Sequence, residues 1–332
     1  DCSGNNLTAL DLTNNTSLYF LYCDYNNISS INISGLNLLS TLYCTYNSLS
    51  ALDLSTNSNM YEIRCYNNQL TNLDLTACPS ISMIHCGDNS LTSLNTSGLT
   101  NLYDLNCERN AITSLDVSAS QGLYNLNCSA NQISSLNLPV NGDIYQLHCY
   151  GNLLTSIDVT TLPNLYEFHC YQNSLTTLNV TNNTLLGDLS CNENQLTNID
   201  LTANVNLIKL AVYSNQLTSI DLSQNTLLET LGVSNNNLSS LDITNNPLIT
   251  LLRCNENNLT SIDLSNNAAL VYLYLERNNL TSLDVSNNTL LEWINIGHNS
   301  LTSVDYSNNV NLKRLSCNDN PIQSIDLSNN TD

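Results

Sequence analysis

An unbroken period limits the fold of this chain more than any other feature. Cysteine stands at Cys2, Cys23, Cys44, Cys65, Cys86, Cys107, Cys128, Cys149, Cys170 and Cys191, each 21 residues after the last. Continuing the count lands on Val212, Val233, Cys254, Leu275, Ile296 and Cys317, so 16 registers of one unit follow without insertion or deletion. A fixed period of this length is the mark of a repeat array, in which no unit closes a core alone and each is held by its neighbours. We number the cysteine slot position 1. Position 4 is then Asn in all 16 copies, from Asn5 and Asn26 to Asn299 and Asn320. Positions 6, 9, 11, 17 and 20 are aliphatic almost throughout, with Thr96 and Tyr306 as the exceptions at position 11. The usual prior of about two domains for a chain this long therefore gives way to one solenoid over residues 1–332, with no linker inside it.

Twenty-one residues leave no room for a full helix beside two loops and a strand, so the unit is expected to be extended, with little or no α-helix. Leu42, Tyr43 and Cys44 alternate apolar, polar, apolar, as do Leu52, Asp53 and Leu54. Period 2 is the pattern of a strand with one buried face, and it predicts two short parallel strands per unit. Pro79, Pro163 and Pro247 all fall at position 15, and most copies carry Asn at position 14. Proline lacks a ladder donor and Asn tolerates tight turns, which places a turn there, outside the sheets. The position 4 asparagines read as a buried ladder whose amides bond the backbone of their own and adjacent coils, because a buried polar group must be satisfied.

The segment Leu39 to Leu49 has the form Leu-x-x-Leu-x-Cys-x-x-Asn-x-Leu, and x-x-Leu-Asp-Leu follows it at 50–54. This resembles the leucine-rich repeat signature with Cys in its central apolar slot, and in particular the bacterial 21-residue class called IRREKO repeats. The resemblance covers the whole chain. It implies a right-handed solenoid with the first strand on its concave side, and it says little about function.

Thirteen cysteines raise the question of bridges or metals. Side chains stacked in register point the same way, which opposes the torsion near 90° that a disulfide needs, and Val, Leu and Ile replace Cys at position 1. The column is therefore expected to hold reduced thiols acting as small hydrophobes. Cys78 alone lies off it, at position 14, packed in the turn or exposed and reactive. Cys-x-x-Cys spacing is absent, and no metal site or cofactor is expected.

The formal charge is −21, from 28 acidic and 7 basic side chains, which excludes a phosphate-backbone binder. Twelve of the acids are Asp at position 10, so the acidity is largely architectural. Position 12 is Ser or Thr in 15 copies, placing hydroxyl donors beside these carboxylates. A solvated ladder is the expectation; Asp200, Asp221, Asp242 and Asp263 are the Ca²⁺ candidates along it, although no Asp-x-Asp-x-Asp-Gly loop is present.

Variation is concentrated on the other strand. Sixteen of 17 tyrosines and all four histidines fall at positions 18, 19, 21, 2 and 3. Tyr124, Tyr145 and Tyr166 share position 18, His148 and His169 share position 21, and Tyr150 and Tyr171 share position 2. These seven residues are the candidate ligand-binding site, with the two His-x-Tyr pairs expected to form a square. Aromatic, amphipathic side chains on a rigid surface give contact area at small entropic loss, which suits recognition of a protein or glycan. Motifs of nucleophilic, metal-dependent or phosphate-binding enzymes are missing, and no catalytic residues are assigned.

The leading expectation is a secreted or cell-surface adhesin-like recognition module. Two others compete: subunits stacking end to end into extracellular filaments, and an ice-binding solenoid using the Ser/Thr columns, which the charged position 10 column opposes. Neither an initiating Met nor a membrane span is found, and no polar cap flanks the array, so the chain is expected to be part of a longer protein.

Overall fold

In the computed structural model, which describes residues 1–330, the chain forms two compact units, Asp1–Leu165 and Tyr166–Asp332. Each is a parallel β-solenoid, and no helix occurs among the described residues. The 21-residue register runs through the boundary in sequence, from Cys149 to Cys170.

The first unit contains strands β1 (Phe20–Tyr22), β2 (Thr41–Tyr43), β3 (Glu62–Arg64), β4 (Met83–His85), β5 (Asp104–Asn106), β6 (Ser114–Asp116), β7 (Asn125–Asn127), β8 (Ser135–Asn137) and β9 (Gln146–His148). Its main sheet runs β1-β2-β3-β4-β5-β7-β9, each strand paired in parallel with the residue 21 further on, as Leu21 with Leu42 and Leu126 with Leu147. The second unit contains β10 (Glu167–His169), β11 (Asp188–Ser190), β12 (Lys209–Ala211), β13 (Thr230–Gly232), β14 (Leu251–Arg253), β15 (Tyr272–Tyr274), β16 (Trp293–Asn295) and β17 (Arg314–Ser316), paired in that order. Every main-sheet strand spans positions 19 to 21. Position 20 points into the core in nearly every coil, while positions 19 and 21 face outward.

Among the described residues, the second strand expected of each coil is regular only in β6 and β8, which pair through Leu115 and Leu136. Position 12 of the latter coil is Pro139, whose missing N–H cannot be drawn back onto the Asn137 side chain; instead Asn137 O accepts Val117 N at 2.9 Å. In the other described coils these segments form no strand, and neighbouring coils are joined ahead of them, at positions 5 and 6, by single bonds such as Asn258 N to Leu238 O (2.8 Å).

One coil illustrates the core. Leu42, Cys44, Leu49, Leu52, Leu54 and Met60, at positions 20, 1, 6, 9, 11 and 17, are all buried. The position 4 ladder is present as expected. Asn236 Nδ2 donates to Val212 O (3.1 Å), Val233 O (3.1 Å) and Ser234 O (3.2 Å), and its Oδ1 accepts Leu217 N (3.0 Å). The residue before each such Asn holds a left-handed backbone whatever its side chain: Tyr25 at φ 53°, Arg109 at 52°, Glu193 at 52°, His298 at 53°. This conformation is rarely adopted outside Gly, Asn and Asp; the bonds from the following Asn to the carbonyls one and two residues before it hold the bend.

Position 14 is a turn, but its asparagines are more than turn formers. Asn57, Asn204, Asn225, Asn246, Asn267, Asn288 and Asn309 are fully buried and form a second ladder. Asn225 Nδ2 donates to Leu201 O (3.0 Å) and to Asn204 O (2.9 Å) of the preceding coil. Ser120 follows the same rule toward Leu99 O (2.9 Å), and so does Cys78, whose thiol points at Asn57 O (3.5 Å). Cys78 is thus not exposed: it is fully buried, and desolvation, helped by Asp74, pushes its thiol up to about 11. Desolvation does the same for the position 1 thiols of Cys86, Cys128 and Cys191, pushed up to about 12.

Candidate functional site

The outward slots of the main sheets carry the aromatic residues. In the first unit, successive position 18 tyrosines inherit the coil-to-coil step of the backbone, with Tyr124 N bonded to Tyr103 O (2.8 Å) and Tyr145 N to Tyr124 O (2.9 Å). Their rings follow in near-parallel, offset stacks: Tyr103 to Tyr124 at 5.3 Å and 5°, Tyr124 to Tyr145 at 5.1 Å and 2°. His148 and Tyr150 sit beside this column with ring centroids 6.5 Å apart, all of them half-buried except the more exposed Tyr103.

In the second unit, His169 and Tyr171 repeat that spacing at 6.4 Å. His169 Nε2 lies 3.3 Å from Asp188 Oδ1 and 3.8 Å from Glu167 Oε1, and Lys209 Nζ is 3.4 Å from Asp188 Oδ2. Burial raises the Asp188 pKa, but the His169 hydrogen bond and the His169 and Lys209 charges outweigh it and hold the carboxyl below its ordinary value. The Tyr166 ring lies over Gly187, where an added Cβ would come within 2.4 Å of Tyr166 Cε2. The candidate residues therefore fall into two sets: Tyr124, Tyr145, His148 and Tyr150 in the first unit, and Tyr166, His169 and Tyr171 in the second.

Sequence reasoning missed three contributors to these sets. Asp188 and Lys209 are separated by one period at position 19, and Gly187 occupies a slot that is Tyr in the preceding copies. Each acts on the coil before it, so only the register, and not its local sequence, could have flagged it. The emphasis on the middle coils also passed over the most exposed aromatics. Tyr19, Phe20 and Tyr25, in the first coils, are 53%, 57% and 57% exposed. Tyr25 stacks on Tyr46 (4.5 Å, 12°), and Tyr46 meets Tyr66 edge-on (5.3 Å, 78°).

The position 10 carboxylates serve as turn caps. Asp200, Asp221, Asp242 and Asp263 are exposed, and each accepts through Oδ1 the N–H two residues on, from Thr202 (3.0 Å), Ser223 (2.9 Å), Thr244 (3.0 Å) and Ser265 (2.9 Å). The Thr202 and Thr244 hydroxyls donate to the same oxygens. Hydroxyl and backbone donors together keep these carboxyls below their ordinary pKa.

Similarity to solved structures agrees with this architecture. The functional domain of InlJ from Listeria monocytogenes, which includes a cysteine ladder, is 33% identical over 92% of this chain and 70% of its own, with a TM-score of 0.86. A leucine-rich repeat protein of Leptospira interrogans is 25% identical over 97% of this chain and 90% of its own, also with a TM-score of 0.86. The leucine-rich repeat ectodomain of the plant receptor kinase GASSHO1/SCHENGEN3 from Arabidopsis thaliana, in complex with CASPARIAN STRIP INTEGRITY FACTOR 2, shares the fold at 19% identity, over 94% of this chain and 48% of its own, with a TM-score of 0.60. No family model matches the sequence, and no curated protein does.

Proposed function

This chain belongs to the leucine-rich repeat proteins, and from that premise we propose that it is a recognition module of the secreted or cell-surface kind, engaging a protein or glycan through the aromatic face of its main sheets. The observation that carries this reading is the stacked column Tyr103, Tyr124, Tyr145. The rings are locked by the backbone step beneath them and remain partly open to solvent, so a partner gains flat apolar area and phenolic hydroxyls without ordering new side chains. The cysteine ladder of the Listeria structure has its counterpart in the position 1 column, and the plant ectodomain, alike in fold, is seen with a bound factor. Tyr150 in the first unit, and His169 and Tyr171 in the second, add groups that stack and hydrogen-bond to the outward slots of their own units. No helix among the described residues is long and apolar enough to cross a membrane.

The test begins with surface-protein and glycan arrays probed with the purified chain. Replacing Tyr150, His169 and Tyr171 together with Ser is expected to weaken capture of any ligand found by at least about tenfold, with an unchanged far-ultraviolet circular dichroism spectrum. Full binding by this variant rejects the site.

A further inference from the structure

Position 2 of the repeat is Tyr at Tyr66 and Glu at Glu108, but in the coil between them it is Gly87. The missing side chain opens a hollow of about 230 Å³ on the outward face of the first unit, lined by Tyr46, Tyr66, His85, Asp88, Asn106 and Glu108. Its floor is fitted to the gap: a Cβ on Gly87 would lie 3.0 Å from Glu108 O and 3.1 Å from Glu108 Cγ. We propose that this recess is a binding site for a cationic side chain, foremost arginine, presented by a protein partner.

The charges around the hollow favour a cation. Asp88 is met from the solvent side by Arg109 Nη1 at 3.7 Å, and His85 Nε2 is paired with Asp104 Oδ1 at 3.4 Å. Glu108 has only a neutral partner, the Asn127 amide, which donates to Oε2 at 3.0 Å. Among the described residues no cation lies within ion-pair distance of Glu108, and it stands in a chain of net charge −21. The lining is also aromatic: Tyr46, stacked on Tyr25, meets Tyr66 edge-on, and aromatic rings attract guanidinium groups.

The same sheet already binds one guanidinium in this manner. Arg64 lies 4.5 Å from the centroid of Tyr43, and its Nη2 and Nε are 2.7 and 2.8 Å from Glu62 Oε1, which also accepts the Tyr43 hydroxyl at 2.8 Å. Tyrosine face, carboxylate and guanidinium thus form a closed set in one place. Around the recess, tyrosines and a carboxylate recur at positions 3 and 2, as Tyr46, Tyr66 and Glu108, and the guanidinium beside them, Arg109, is paired with Asp88 and not with Glu108. Bidentate pairing and stacking suit arginine better than lysine.

The site does not rest on Tyr124, Tyr145, His148 and Tyr150 of the first unit or on Tyr166, His169 and Tyr171 of the second, and the experiment keeps the recess apart from them. Saturation-transfer NMR on the full chain uses N-acetyl-arginine methylamide, its neutral isostere N-acetyl-citrulline methylamide, and methyl glycosides. The arginine probe is expected to receive saturation at least about tenfold more strongly than citrulline. Its signal should be lost in Glu108→Gln and in Gly87→Tyr, and retained when Tyr150, His169 and Tyr171 are replaced. Gly87→Tyr fills the recess with the residue that position 2 carries at Tyr66, Tyr150, Tyr171 and Tyr213, and an unchanged circular dichroism spectrum verifies its fold. Equal signals from arginine and citrulline, no arginine signal, or retention in Gly87→Tyr overturns the proposal. A glycoside signal exceeding that of arginine and lost in the same variants reassigns the recess to sugars and overturns it too.

Discussion

Two asparagine ladders run through this solenoid, and replacing one member of each with leucine should have very different consequences. In Asn236→Leu the Leu217 N–H loses its sole acceptor and stays buried, which costs about 1–3 kcal/mol. The three bonds from Asn236 Nδ2 also vanish, at roughly 0.5–1.5 kcal/mol each. Their acceptors are not orphaned, because Val212 O keeps Asn215 Nδ2, Val233 O keeps Asn257 Nδ2 and Ser234 O keeps Ser214 N. The expected loss is about 2.5–7.5 kcal/mol. In Asn225→Leu two bonds of roughly 1 kcal/mol each disappear, but Leu201 O keeps Asn204 N and Asn204 O keeps Leu207 N. The Asn225 Oδ1, buried without a protein partner, disappears as well, returning a desolvation penalty of similar size. Leucine already occupies this slot at Leu36, Leu99 and Leu162, so the net change should stay within about 1 kcal/mol. Urea unfolding followed by circular dichroism gives the global change, and hydrogen exchange at the Leu217 amide gives the local one. If Asn225→Leu destabilises as much as Asn236→Leu, the difference between an orphaned donor and a doubly served acceptor is not what holds these coils.

Three further outcomes are expected. Thiol labelling of the folded chain should modify Cys2 and Cys317, the two half-buried cysteines, and reach the others only on unfolding; rapid modification of Cys78 contradicts its placement in the second ladder. Acid should destabilise through the position 10 carboxyls, whose folded pKa lies below the unfolded value near 3.9 because Ser and Thr donors stabilise the charged form. Their contribution is complete above that value and is lost as pH falls through the folded pKa. Replacing Asp221, Asp242 and Asp263 with Asn, which caps the same turn at Asn32 (Ser34 N to Oδ1, 3.0 Å), should flatten stability against pH below about 4; an unchanged slope counts against it. Tyr306→Phe should stabilise by about 1 kcal/mol, since the Tyr306 hydroxyl is buried without a partner; destabilisation in thermal unfolding shows that the hydroxyl is satisfied.

Much of the fold was legible because the period reports which side chains share an environment. A slot that takes Cys, Val, Leu or Ile is an apolar column, and a slot that takes only Asn needs both a donor and an acceptor. Position 14 hid its ladder because a turn already accounts for asparagine there, and because Leu99 and Ser120 interrupt the column. The stack of Tyr103, Tyr124 and Tyr145 could be read from their common slot. The greater exposure of Tyr19 and Tyr25 could not, since it depends on what the neighbouring coils leave uncovered. The Gly87 recess was least legible of all: a glycine at an outward slot states only that a side chain is missing, and its meaning lies in Tyr66 and Glu108, one period away on either side.

The left-handed residue ahead of each position 4 asparagine has an evolutionary consequence. Tyr25, Ala130, Gln172, Arg277 and Asp319 all accept the same bend, so the backbone there is indifferent to chemistry and the side chain is open to change. Each coil thereby carries one variable letter on an invariant frame, and duplication of coils followed by drift at that letter would generate new surface chemistries without disturbing the columns inside.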